Sequence, residues 1–254
     1  MTGCGSFAPG WGNGKAIATL FARQGATVIG VDLSLEAAQE TQKIIEGEGH
    51  SLHVQACDVT KADQFNALVG SCLDRFGRID ILVNNVGRSE PGNPATMDEP
   101  TWDQQIELNL KSVYLGCKAV LPIMERQQGG SIINISSVAG LRFVGKDQVA
   151  YAAAKAALMQ LTKVTAVSFA KHGVRLNSVV PGLMNTPLVH RLAERYAAGE
   201  YDKMVAQRDA QVPMGHMGDA WDVAHAALFL AADESKYITG TEIIVDGGLT
   251  AATR

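Results

Sequence analysis

Six short runs rich in Val, Ile and Leu, set between longer amphipathic stretches, restrict the fold of this chain more than any other feature. They are ATVIGVD (26–32), SLHVQACD (51–58), DILVNN (80–85), SIINISS (131–137), VRLNSVV (174–180) and TEIIVD (241–246). Strands that are apolar on both faces need cover on both faces, which is the situation of a parallel sheet between two helical layers. The intervening stretches, at about 14–25, 35–48, 61–76, 101–127, 151–172 and 220–232, carry apolar residues at helical spacing. This alternation over 254 residues predicts one doubly wound α/β domain spanning 1–254, not repeats or linked domains. Only 188–219 breaks the rhythm, being polar, mixed in charge and home to Pro213 and three methionines. Long insertions in compact domains tend to be functional, so it is expected to form a substrate loop or lid.

Several function classes are disfavoured at this stage. The net charge is −4, with no basic stripe interleaved with aromatics, so nucleic acid is not an expected partner. No apolar run reaches membrane-spanning length and the first residues do not resemble a signal peptide; no membrane partner and a cytoplasmic location are expected. Cys4, Cys57, Cys72 and Cys117 form no C-x-x-C pair and the six histidines no H-x-x-x-H. Buried free thiols and no metal are therefore expected.

Ligands of open parallel sheets bind beyond the carboxyl ends of the strands. The first candidate is the opening run, with Gly3, Gly5, Gly10, Gly12 and Gly14 feeding a helical pattern. Such turns let backbone N–H groups approach phosphate while the helix N-terminus favours negative charge. An ATP-binding P-loop does not fit, because Lys15 is followed by Ala16 where a magnesium-binding hydroxyl is needed. Asp32 closes its strand eighteen residues beyond Gly14, where a carboxylate can accept from ribose hydroxyls. It would repel a 2′-phosphate, and Leu33 beside it is not an arginine, which favours NAD over NADP. The bland role for Asp32 is a helix cap, although Ser34 is better placed for it.

The sharper candidate is YAAAK, preceded by Ser136 and Ser137 at a strand end. Tyr151 and Lys155 stand four apart and share a helix face. A nearby ammonium favours phenolate, so the expectation is a tyrosine pKa drawn down toward the working range of a proton shuttle. Ser137 could then hydrogen-bond the substrate oxygen. A surface helix pair is the plainer alternative for such a common spacing.

Together these motifs resemble the short-chain dehydrogenase/reductase family in its single-domain form, from Thr2 to about Gly248. The resemblance implies a Rossmann fold in which Thr2-Gly3, Gly12, Asn13 and Gly14 form the phosphate-binding turn. Asp32 and Leu33 would meet the adenosine ribose, Asp58 and Val59 the adenine, and Asn85, Val86 and Gly87 of NNVG the cofactor beside the sheet. Asn109, Ser137, Tyr151 and Lys155 match the catalytic tetrad, with Tyr151 and Lys155 also holding the nicotinamide ribose. Pro181, Gly182, Met184 and Thr186 of PGLMNT resemble the segment that holds the nicotinamide carboxamide. The implied reaction is an NAD-dependent interconversion of a secondary alcohol and a ketone, on a homotetramer or dimer packed through helices 101–127 and 151–172. Alternatives are an NADPH-dependent 3-oxoacyl thioester reductase and a non-catalytic dinucleotide-binding regulator. The substrate pocket is expected from 88–96, 138–148 and 183–215, which mix Arg88, Arg142, Phe143, Val144, Leu188 and Met214.

Departures from the family pattern also carry expectations. Eight residues separate Gly3 from Gly12, so the turn is expanded, and fourteen positions separate Ser137 from Tyr151, which leaves Ser136 as an alternative catalytic serine. The family's strand before the glycine turn is central, flanked here by 26–32 and 80–85, yet only Met1 precedes Thr2. An empty lane would leave backbone groups unpaired at about 1–3 kcal/mol each. A first central strand cut short by a missing N-terminal segment is the favoured expectation; closure of the flanking strands, or a strand from a partner, are the others.

Overall fold

The computed structural model describes residues 1–196 and 200–253. Six strands form in the expected order: β1 (Val28–Asp32), β2 (Leu52–Ala56), β3 (Ile81–Asn84), β4 (Gly130–Ile135), β5 (Val174–Pro181) and β6 (Glu242–Val245). Every pairing is parallel. β1 pairs with β2, and β3, β4, β5 and β6 follow one another in a second group. The doubly wound Rossmann-type α/β architecture is thus present, with helices on both faces.

Local sequence sets the helix boundaries. α1 (Asn13–Arg23) starts directly from Gly12 without a side-chain cap. α2 (Leu35–Gly47) is capped by Ser34, whose Oγ accepts from the Ala37 amide, and α3 (Ala62–Phe76) stops at left-handed Gly77. The stretch expected as one helix over 101–127 is α4 (Glu99–Ile106), a π-helical turn (Glu107–Lys111) and α5 (Ser112–Gln127). α6 (Val149–Phe169) carries the YAAAK run. The expected lid contains two helices, α7 (Leu188–Tyr196) and α8 (Tyr201–Asp209), while its residues 197–199 lie outside the described residues. α9 (Ala220–Ala231) opens with a capping box between Asp219 and Asp222.

Two apolar layers sandwich the strands. On one face Ile17, Leu20 and Phe21 of α1 meet Val223, Ala227 and Leu230 of α9; on the other Phe65 of α3 meets Val120 and Met124 of α5. Full burial of each large side chain contributes about 1.5–3 kcal/mol. Cys4, Cys57 and Cys117 are buried among them, and all four cysteines are free. Burial pushes the Cys4 and Cys117 thiols up to about 12, so neither is a nucleophile at neutral pH. Among the described residues no acidic, His or Cys cluster could hold a metal, and no helix is long and apolar enough to cross a membrane.

Between β1 and β3 the flanking strands do not close up. Met1–Gly3 bridge them instead: the Met1 amino group donates to Ile29 O at 2.8 Å, and the Val31 amide donates to Met1 O at 3.0 Å. Gly3 N donates to Val31 O at 2.7 Å and Thr2 N to Val83 O at 3.0 Å. This short bridge supports the glycine turn from below, with Asn85 Nδ2 donating to Gly3 O at 3.0 Å.

Candidate active site

The carboxyl ends of β1 to β5 gather the candidate residues along one edge of the sheet. After β4 the chain enters a 3₁₀ turn (Val138–Gly140) capped by Ser137, whose Oγ accepts from the Ala139 amide at 3.2 Å. Tyr151, in the first turn of α6, is hydrogen-bonded to the Ser137 side chain. Ser136 faces the other way: it is buried and its Oγ donates to Lys155 O at 3.0 Å, tying α6 to the sheet.

Lys155 is 2% exposed, with Nζ 5.7 Å from the Tyr151 ring centre and donating to Ile135 O at 2.9 Å. The expected lowering of the tyrosine pKa is not what this arrangement produces. Burial raises the Tyr151 pKa above its ordinary value, and the Ser137 hydrogen bond only partly opposes it. The ammonium sits over the ring and serves a backbone carbonyl, while its own pKa falls to about 8 through desolvation. Without another charge nearby, phenol and amine are both pushed toward neutrality.

Asn109 reaches the same region because the π-helical turn carries it inward. It is fully buried, its Nδ2 donating to Arg88 O at 3.0 Å and Gln105 O at 2.9 Å, and its Oδ1 accepting from Arg88 N at 3.0 Å. Gly87 lies between it and Lys155: a β-carbon there would stand 2.9 Å from Asn109 Oδ1 and 3.0 Å from Lys155 Nζ.

The glycine turn forms a second cluster. Gly3 has φ +66°, and a β-carbon on Gly14 would run into Gly3 O, so backbone packs on backbone here. The first turn of α1 lacks a side-chain cap, and Asn13 Oδ1 is buried without a partner. Asp32 shapes the expanded loop: Oδ2 accepts from Gly5 N at 3.0 Å and Oδ1 from Ser34 N at 3.2 Å. Leu33 points outward, 76% exposed. Asp58 accepts from Thr60 through both its amide and its hydroxyl, which lowers its pKa, and Val59 is buried. Val86 packs against Gly3 of the glycine turn.

Pro181 ends β5, and Gly182 N donates to Val245 O at 2.8 Å. Met184 bridges to Gly218, Thr186 O accepts from Val189 N at 2.8 Å, and Gly10 of the expanded loop faces Pro187. Tyr201 of α8 donates to Asn185 Oδ1 at 3.0 Å, anchoring the insertion to this segment. The expected pocket segments meet only in part. Residues 92–94, 139–144 and 146–149 line a cavity of about 500 Å³ with Ala152, Ala153 and Ala156 of α6, and Tyr151 is not among its lining residues. Arg142 donates to Leu249 O and Ala252 O.

A family profile described as enoyl-(acyl carrier protein) reductase matches residues 8–250. The 3-oxoacyl-acyl-carrier-protein reductase FabG of Thermotoga maritima is 39% identical over 238 residues, covering 94% of this chain and 93% of its own. The chain belongs to the short-chain dehydrogenase/reductase family. The 2-(R)-hydroxypropyl-CoM dehydrogenase of Xanthobacter autotrophicus is 38% identical over 94% of this chain and 95% of its own. Among solved structures, a short-chain dehydrogenase/reductase from Burkholderia xenovorans superposes with a TM-score of 0.93 at 49% identity, over 100% of this chain and 96% of that one. Levodione reductase does so with a TM-score of 0.92 at 32% identity, over 99% and 96%.

Short-chain dehydrogenases/reductases are oxidoreductases that use a nicotinamide dinucleotide. The residues present fit such a group. The uncapped N-terminus of α1 suits a diphosphate, and the orphan Asn13 oxygen suits a hydroxyl donor. Sequence reasoning missed Gln105, fully buried, with Oε1 accepting from Glu90 N at 3.1 Å and Nε2 unpartnered. Its position four residues before Asn109 was the available signal.

Proposed function

We propose that this protein is an NAD(H)-dependent oxidoreductase that interconverts a secondary alcohol and a ketone. The observation that carries the reading is Tyr151 hydrogen-bonded to Ser137 with the buried Lys155 ammonium 5.7 Å from the centre of its ring. When bound, the nicotinamide supplies or accepts the hydride. Gly3, Gly12, Asn13 and Gly14 would hold its diphosphate, Asp32 and Leu33 the adenosine ribose, and Asp58 and Val59 the adenine. Asn85, Val86 and Gly87 would line its path, and Pro181, Gly182, Met184 and Thr186 would hold the carboxamide.

The chain's own residues handle the proton. Ser137 donates to the substrate oxygen and orients it; Tyr151 gives that oxygen a proton in reduction and takes one in oxidation. Lys155 would hold the nicotinamide ribose hydroxyls, and together with the positive charge of an oxidised nicotinamide it would favour phenolate. Asn109 anchors a water that links Lys155 to solvent. The insertion 188–219 closes over the substrate as a lid of one continuous domain, 1–254.

Asp32 supports NAD(H), because a carboxylate that organises Gly5 and Ser34 would face any 2′-phosphate as a like charge. A 3-oxoacyl thioester reductase using NADPH is the second reading, supported by the similarity to FabG. The same account assigns the enzyme to the reducing cytoplasm, in keeping with four free thiols. A homotetramer or dimer is supported by exposed apolar side chains on α5 and α6, Tyr114, Val164 and Val167. Steady-state rates on a panel of secondary alcohols, ketones and 3-oxoacyl thioesters, each with NAD(H) and NADP(H), test the reading. Turnover of simple ketones with NADH supports it; turnover confined to thioesters with NADPH selects the second.

A further inference from the structure

Two cations stand on one aromatic stack beside the glycine turn, and only one of them has a counterion. Trp11, ahead of Gly12, packs on Trp221 of α9 with ring centres 4.7 Å apart at 53°. Arg23, at the end of α1, lies 4.9 Å from the Trp221 ring centre and is paired with Glu48 through Nε at 2.7 Å and Nη2 at 2.6 Å. Lys15 takes the other end of the stack, its Nζ 5.4 Å from the Trp11 ring centre. It is only 6% exposed, yet it has no hydrogen bond and no ion pair among the described residues. An aromatic face attracts an ammonium but does not satisfy its three N–H donors as an anionic oxygen does.

The helix sets the direction of this side chain. Lys15 is the third residue of α1, and helical side chains lean toward the N-terminus, so the ammonium is carried back toward the turn at Gly12. Its place over Trp11 agrees with that. The field there is already positive, because α1 opens with no side-chain cap and no acidic residue in its first turn. Asp32, the carboxylate of the expanded loop, is engaged with Gly5 N at 3.0 Å and Ser34 N at 3.2 Å. A nearly enclosed ammonium beside a helix N-terminus is costly unless an anion joins them. In the same turn Asn13 Oδ1 is buried without a partner, an acceptor for a hydroxyl next to that anion.

We propose that Lys15 is a binding residue for the diphosphate of the dinucleotide, presented to it on the ring of Trp11. The assignment rests on the proposed function and adds to it a charged side chain that the glycine turn lacks. On binding, the ammonium exchanges the ring face for phosphate oxygens, while Trp221 and the Arg23–Glu48 pair keep Trp11 in place. Lys15 thus strengthens NAD(H) and NADP(H) alike, whereas Asp32 discriminates between them.

Lys15→Met keeps the length of the side chain and removes its charge; Lys15→Arg keeps the charge. Both are compared with the parent by calorimetric titration with adenosine, ADP-ribose, inorganic pyrophosphate, NADH and NADPH, and by the Tm of the unliganded chains. Lys15→Met is expected to bind ADP-ribose and both dinucleotides about tenfold to a hundredfold more weakly, with adenosine changed by less than about twofold. Its unliganded Tm is expected to be no lower than the parent's, since an enclosed ammonium without a counterion is gone. Lys15→Arg is expected to recover most of the lost affinity. Equal losses for adenosine and ADP-ribose overturn the assignment, as does a Lys15→Met chain too unstable to titrate. A loss confined to NADPH overturns it by moving the charge to a 2′-phosphate, and pyrophosphate bound as tightly as ADP-ribose does so by making the anion a free one. A parent that binds neither dinucleotide overturns the proposed function itself, whereas equal dinucleotide binding by parent and Lys15→Met overturns only the role of Lys15.

Discussion

Lys155 Nζ stands 5.7 Å from the centre of the Tyr151 ring and donates to Ile135 O, so in the protein alone the ammonium is placed beneath the phenol without bonding to its oxygen. Burial then dominates both groups, raising the tyrosine and lowering the lysine. A working base would therefore need a positive charge beyond the Lys155 ammonium. A bound oxidised nicotinamide would supply such a charge, while Lys155, at about 8, keeps most of its own charge at neutral pH.

Stability against pH reads this pair directly. The folded Lys155 pKa is about 8 against 10.5 for the free side chain. Between those values the unfolded chain binds more protons at this site, so stability rises with pH across the window. The gain is about 3 kcal/mol at most. Above pH 10 Tyr151 acts in the opposite direction, since the folded phenol keeps a proton that the unfolded one loses. Urea unfolding of the parent and of Lys155→Met from about pH 7.5 to about pH 9 checks this, below the range in which the raised Cys4 and Cys117 thiols act in the opposite direction. The rise is expected in the parent and absent in the variant; a flat parent profile would contradict the burial account.

The two adjacent serines should separate cleanly. Ser137→Ala removes the Tyr151 partner at the cleft and is expected to lower kcat by about tenfold to a hundredfold with little change in Tm. Ser136→Ala removes a buried bond to Lys155 O and is expected to cost about 1 kcal/mol of stability while leaving most of kcat. Rates and melting curves on both variants decide it, and the reverse pattern would make Ser136 the reacting serine.

Cofactor choice should follow the end of β1. Asp32→Ser combined with Leu33→Arg removes a repelling carboxylate and offers an arginine to a 2′-phosphate. The ratio of kcat/KM for NADPH over NADH is expected to rise by at least about a hundredfold, or roughly 2.7 kcal/mol. Asp32 also holds the Gly5 amide at 3.0 Å, so Tm should fall in the same variant. An unchanged ratio would show that the ribose does not lie at Asp32.

Most of this architecture is legible in the sequence because its signals are periodic or positional. Near-continuous Val, Ile and Leu runs mark β1 to β6, and the helical repeat alone puts Tyr151 and Lys155 on one face. Asp32, Asn85, Ser137 and Pro181 follow or end strands, so their gathering at one edge follows from parallel pairing. What was not legible depends on packing. The π-helical turn at Glu107–Lys111 has no residue pattern of its own, yet it turns Asn109 inward. The orientation of Ser136 toward Lys155 O, and the balance of burial against charge at Tyr151, are properties of the folded surroundings. So is the way Met1–Gly3 link β1 to β3 without completing the lane between them.

The central claim, that Tyr151 moves the proton while the rest of the site binds, is tested most directly by Tyr151→Phe. Turnover of the best alcohol substrate and NADH binding would be measured on the same preparation, binding by quenching of tryptophan fluorescence. The account predicts a loss of kcat of about a hundredfold to ten-thousandfold, with the NADH Kd changed by less than about threefold. Retention of most of the turnover by Tyr151→Phe would contradict it.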